Sequence, residues 1–211
     1  GMMRKVLLLC LLAVVSNGLA AQEYMDSLLY NKTLTSSVKS VAVARKAPLT
    51  LPFIDDFSQG NTFPDPLKWL DQSVYINEGF PIKPPSIGVA TFDGLRANGR
   101  PYTFSSSAYG SSDTLTSQPI DLSSYAAFDS VYLSFYYQPK GRGNAPESRD
   151  SLVLEFKLND TTWVGIWRTT PTGLATDSFR QAFIPITDVR WLTGDFQFRF
   201  RNYSALSGNI D

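Results

Sequence analysis

The chain has 211 residues, with 19 Lys and Arg against 19 Asp and Glu, no His and one Cys. Without His there is no Ser-His-Asp triad, no Cys-His dyad and no imidazole zinc site. With 43% hydrophobic residues and no net charge, the sequence can fill a core and lacks the basic excess that coats nucleic acid or an anionic membrane.

The chain opens with Gly1, outside the pattern that follows. Met2-Met3-Arg4-Lys5 is a short cationic start, residues 6–15 form an apolar run, and small residues follow at 16–21. This layout predicts a secretory signal peptide over residues 1–21, cut after Ala20 or Ala21 and too short to remain as a membrane span. Acylation at Cys10 is the weaker reading, because only Val6 to Leu9 precede it and the small residues usual before a lipid acceptor are missing. Cleavage leaves 17 basic and 19 acidic residues and no cysteine. Stability must then come from core size or bound ions, not disulfides. The expected location is secreted or cell-surface, reached by Gram-negative export, with no membrane span after cleavage.

Residues 22–47 are mixed and polar and read as a linker or arm. From residue 48 the texture changes to short runs of strand period separated by Gly, Pro, Asn, Asp and Ser. The runs lie at 53–57, 73–77, 87–92, 114–122, 131–137, 152–158, 163–168, 182–186 and 196–201. The clearest has Phe196, Phe198 and Phe200 on one side and Gln197, Arg199 and Arg201 on the other, the mark of a half-buried antiparallel strand. The 15 Asp and 4 Glu favour turns over helix interiors. The expected fold is therefore all-β, a two-sheet antiparallel sandwich over residues 48–211. Pro185 belongs on an edge or a bulge, since it cannot donate to a central ladder. Lys140-Gly-Arg-Gly-Asn144 reads as a hairpin tip, because it lacks the Gly-Lys-Ser/Thr ending of a phosphate loop.

Several motifs carry a resemblance. Leu51-Pro-Phe-Ile-Asp-Asp-Phe-Ser58, Trp69, Val74-Tyr-Ile-Asn77, Pro84-Pro-Ser-Ile-Gly-Val-Ala-Thr-Phe-Asp-Gly94, Leu133-Ser-Phe-Tyr-Tyr-Gln138, Trp163-Val-Gly-Ile-Trp167 and Phe196-Gln-Phe-Arg-Phe-Arg-Asn-Tyr203 stand in order. Together they resemble an N-terminal module of secreted Bacteroidetes surface proteins, similar in architecture to MAM-like and cleaved-adhesin jelly rolls associated with type IX secretion. The resemblance implies a jelly roll that continues past Asp211 into a closing strand, so that this chain is truncated within a larger polypeptide. It also implies a structural calcium held by Asp55 and Asp56, with Asp93 and Asp211 as partners. Adjacent strand residues face opposite ways, so only one of Asp55 and Asp56 can serve. The alternative is that these acids make turns.

Two further groups of residues stand out. Tyr132 and Tyr136 on one strand, Gln197, Arg199 and Arg201 on another, and Trp167 form a set of outward aromatic and polar groups suited to a sugar, or else pack under loops or against the missing closing strand. Triplets that resemble Bacteroidetes O-glycosylation acceptors occur at Ser27, Thr114, Ser130, Ser151 and Thr161, each after an Asp. An Asp turn feeding a strand start gives the same triplet. No catalytic residue is expected: Glu155 alternates with Val153 and Lys157 rather than with a second acid, as a jelly-roll glycosidase requires. The reading is a non-catalytic, exported cell-surface binding or adhesion module with a glycan or surface protein as partner. The alternatives are an accessory domain of a larger secreted hydrolase and a scaffold part of export or gliding machinery.

Overall fold

A computed structural model describes residues 47–105, 107–172 and 177–207. The predicted leader, residues 22–46 of the arm, Ser27 and Asp211 lie outside the described residues. Among the described residues there are eight strands and no helix: β1 (Tyr75–Asn77), β2 (Val89–Thr91), β3 (Tyr109–Thr116), β4 (Tyr132–Tyr137), β5 (Ser151–Lys157), β6 (Trp163–Thr169), β7 (Arg180–Pro185) and β8 (Phe198–Ala205). All strand pairs are antiparallel. They form a four-stranded sheet in the order β3-β8-β5-β6 and two pairs, β1-β2 and β4-β7.

The period-2 pattern explains the inner face. Leu115, Leu154 and Phe200 sit side by side across β3, β5 and β8, with Phe156 opposite Phe198. Phe196, Phe198 and Phe200 are all buried, as their alternation predicts. Each such ring contributes roughly 1.5–3 kcal/mol on leaving water. Leu133 and Phe135 of β4 close over this surface, the Phe135 ring lying 4.7 Å from Phe200. The β4-β7 pair thus faces the larger sheet in a sandwich-like arrangement. Trp69 anchors the chain before β1: its ring packs edge-on to Phe53 and Phe198 at 5.4 and 5.8 Å. Pro185 ends β7, whose described partner is β4 alone.

Two predicted strands differ from the structure. The run at 114–122 is the tail of β3 followed by isolated bridges, Trp69 to Ser117 and Ile120 to Phe196. Residues 53–57 are not in a ladder. Phe53 and Phe57 pack against the core, yet the 51–55 backbone makes no backbone hydrogen bond to a described residue. Flanking bonds tie Leu49 to Pro119 and Asp121, and one runs from Gly88 N–H to the Asp56 carbonyl, at 3.1 Å. Gly88 is obligatory at this approach, because a Cβ there would lie 2.4 Å from the Phe57 carbonyl oxygen. Alternation fixed which side chains of 53–57 turn inward, but a ladder needs a neighbour that alternation cannot supply.

Candidate functional site

The outward residues expected to act together are divided between two sheets. Arg199 and Arg201 lie on the outer face of the four-stranded sheet, where both bind Glu155 of β5. Arg199 Nε donates to Glu155 Oε2 at 2.6 Å, and Arg201 Nη2 donates to Oε1 at 2.7 Å. Burial acts to raise the Glu155 carboxyl, but the hydrogen bonds from Arg201 and Arg199 outweigh it and hold the group below its usual range. The Arg199 guanidinium also lies 4.3 Å from the centre of the Trp163 ring. Gln197 is 5% exposed, donating to the Ser117 carbonyl and accepting from Lys157 Nζ. These side chains hold strands together. Glu155→Gln removes the charge from two short bonds and leaves two cations facing a neutral amide. We expect a loss of about 1–3 kcal/mol, read as a lower urea midpoint at unchanged slope.

Tyr132 and Tyr136 lie on the opposite outer surface, that of β4-β7. The register pairs Tyr132 with Pro185, Ser134 with Phe183 and Tyr136 with Gln181. All six point away from the core, and Tyr132, Tyr136 and Phe183 are 57%, 52% and 61% exposed. Strand geometry spaces side chains on one face about 7 Å apart, so the three rings and Pro185 form one apolar strip edged by Ser134 and Gln181. Phe183 belongs to this strip although sequence reading did not select it. The signal was present: with Ala182, Ile184 and Ile186 inward, Phe183 has to face out.

Trp167 does not join this set. Its ring lies between the sheets, 5.0 Å from both Phe135 and Tyr137. The cause is a bulge in the β5-β6 ladder, where Glu155 pairs with Gly165 but Leu154 pairs with Trp167. The extra residue, Ile166, reverses the alternation. Trp163 and Trp167, four apart, therefore face opposite ways.

The three described carboxylates of the implied calcium set, Asp55, Asp56 and Asp93, do not converge. Asp55 accepts from Trp69 Nε1 at 2.6 Å and meets Lys68 Nζ at 3.3 Å. Asp56 is exposed, and its hydrogen bonds from Ser58 hold it below the usual range. Asp211 is outside the described residues. Asp93 is different: burial pushes its carboxyl up to about 6, against bonding from the Leu95 N–H. Its neighbour is Asp113, which is 0% exposed and accepts from Gly94 N–H and Tyr102 Oη, both at 2.8 Å. Burial and the charge of Asp93 raise Asp113 well above its usual value, and burial with Asp113 raises the Tyr102 hydroxyl. Asp113 and Tyr102 are site residues that the sequence did not disclose. Among the described residues no three acidic side chains group as metal ligands.

The glycosylation triplets differ in access. Ser130 and Thr161 are exposed, Thr114 is half-buried and bonded to Ser73, and Ser151 is 4% exposed. Among the described residues, Ser130 and Thr161 are thus the two triplet hydroxyls open to solvent. Compared with known proteins, the sequence matches no family model and no curated protein.

Proposed function

We propose that the chain is a non-catalytic, exported surface module that binds glycan through the outer face of β4-β7. The observation that carries this reading is the strip of Tyr132, Tyr136, Phe183 and Pro185, held in register on one sheet face and open to solvent. Rings fixed by a sheet cover the apolar face of a pyranose with little loss of side-chain freedom, while Ser134 and Gln181 meet its hydroxyls. A jelly-roll topology belongs to the same proposal, supported by the antiparallel sandwich-like layers. The implied assignment to exported Bacteroidetes surface proteins is supported by the leader pattern and the motif order.

The test is a glycan array followed by calorimetry. Phe183→Ala and Tyr136→Ala each remove one stacked ring, and we expect about tenfold weaker binding from each. Both rings are exposed, so thermal stability changes by less than about 0.5 kcal/mol. Binding retained at full strength in both variants removes this face from the reading.

A further inference from the structure

The outer face of the four-stranded sheet carries more positive charge than its own acids neutralise. Alternation puts Arg199 and Arg201 of β8 on this face with Val153, Glu155 and Lys157 of β5. The register adds Arg168 of β6, which lies opposite Val153, itself opposite Arg201. Lys157 is matched by Asp160 at 3.2 Å, and Arg149, just before β5, by Glu147 at 3.4 Å. Asp71 lies across β3, in the segment bonded to its far edge. Three guanidinium groups therefore stand around one carboxylate, Glu155.

Their bonding capacity is not used up. Each guanidinium has five N–H donors. Among the described residues, Arg199 gives one N–H to Glu155 and Arg201 gives two. Arg168 is exposed and has no bonding partner among the described residues. The side chains of Arg199 and Arg201 are only 25% and 26% exposed, so the charge in excess of Glu155 sits partly out of water, where a second anion stabilises it. There is also room beside them. Gly165 lies opposite Glu155, and no atom beyond its chain neighbours comes within 4 Å of where its Cβ would stand. Along this face β6 presents the Trp163 ring, then a gap, then Arg168.

The chain's own remaining residues do not supply the anion. Residues 22–46 hold four Lys and Arg against Glu23 and Asp26, and Asp211 is the one acid in the other undescribed segments. An acidic peptide pairs with a free strand edge or fills a groove, whereas β8 and β5 are bonded on both sides and offer a flat surface of side chains. A guanidinium fork takes a carboxylate through two parallel hydrogen bonds, and an aromatic ring beside it covers the apolar face of a sugar.

We propose that this face binds a carboxylated polysaccharide, one sugar unit lying over Gly165 beside Trp163 and its carboxylate held by Arg168 and the unused N–H groups of Arg201. The site lies on the other layer from the strip on β4-β7, and neither depends on the other.

Titration calorimetry on the whole chain at low salt tests the proposal, with a six-unit galacturonate oligomer as the probe. The expected Kd is below about 1 mM and rises as salt is added. Arg168→Gln is expected to weaken binding about three- to tenfold, with the melting temperature unchanged because the residue is exposed and unpaired. Lys83→Gln removes the same charge from the segment bonded to Gln138 after β4 and leaves the affinity as it was. No binding at about 1 mM overturns the proposal. So does equal binding of the methyl-esterified oligomer, which keeps the sugar rings and loses the charge. Hexaglutamate binding as tightly shows attraction to charge alone and overturns the polysaccharide as occupant. An equal loss in Arg168→Gln and Lys83→Gln shows attraction to the chain as a whole and overturns the site.

Discussion

Phe198→Ala is expected to cost about 3–5 kcal/mol, the range for removing a buried aromatic ring. Phe198 is 2% exposed and its ring meets Phe53, Trp69, Phe196 and Phe200 at 5.7, 5.8, 6.4 and 6.0 Å. Most of these neighbours cannot collapse into the space, because the Trp69 indole is tied to Asp55, Phe200 is set by its ladder and Phe196 by its bridge to Ile120. Phe198 also borders a cleft of about 570 Å³ between the layers, so the space left behind merges with an existing one, which places the loss toward the lower end of the range. A domain of this size has about 5–15 kcal/mol in total, so the variant forfeits a large share. Urea unfolding measures it, with Phe183→Ala as the exposed control. A loss below about 1.5 kcal/mol shows that the inner face is not packed as described.

Asp93→Asn is expected to stabilise the protein at pH 7.5 and to do nothing at pH 4. Burial pushes the Asp93 carboxyl up to about 6, against 3.8 in the unfolded chain, so the folded state binds the proton more tightly. Stability from this group is complete below about pH 4, falls as pH rises through 6, and is then lost. The difference is worth up to about 3 kcal/mol at neutral pH. Asp113, raised by burial and by Asp93, acts in the same direction. Asn keeps an oxygen for the Leu95 N–H without the charge. The check is a series of melting curves of both proteins from pH 4 to 8. Parallel curves mean that Asp93 is not buried beside Asp113. Calcium acts in the opposite direction, since a cation holds the carboxyl ionised. If a chelator leaves the wild-type midpoint unchanged at pH 7.5, the implied calcium has no place at Asp93.

Which parts of this were readable beforehand depends on how local their causes are. Phe196, Phe198 and Phe200 are inward because a strand turns alternate residues to one face, and six residues suffice to show it. The first half of β3, Tyr-Gly-Ser-Ser-Asp, has no apolar period and is a strand only because β8 pairs with it, through a bulge between Ser111 and Thr114. The bulge that turns Trp167 inward likewise exists only in the pairing of two strands. Outward does not mean accessible: Gln197 and Glu155 point away from the core yet are covered by long neighbours, with Lys157, Arg199 and Arg201 among their bonding partners. Asp113 reads as a turn acid before a strand, and Tyr102 reaches it from eleven residues upstream. The aromatic strip was half legible through Tyr132 and Tyr136, and its third ring followed from the same alternation.

The order β3-β8-β5-β6 has a consequence for the timing of folding. β8 is last in sequence among the described strands but lies between β3 and β5, with Tyr109 opposite Ala205 and Ser151 opposite Tyr203. A nascent chain therefore cannot assemble its larger sheet until its residues near 205 have been synthesised. Long-range pairing of this kind is slow. The topology itself thus leaves β3 and β5 without their shared neighbour until the last of the described strands has been made.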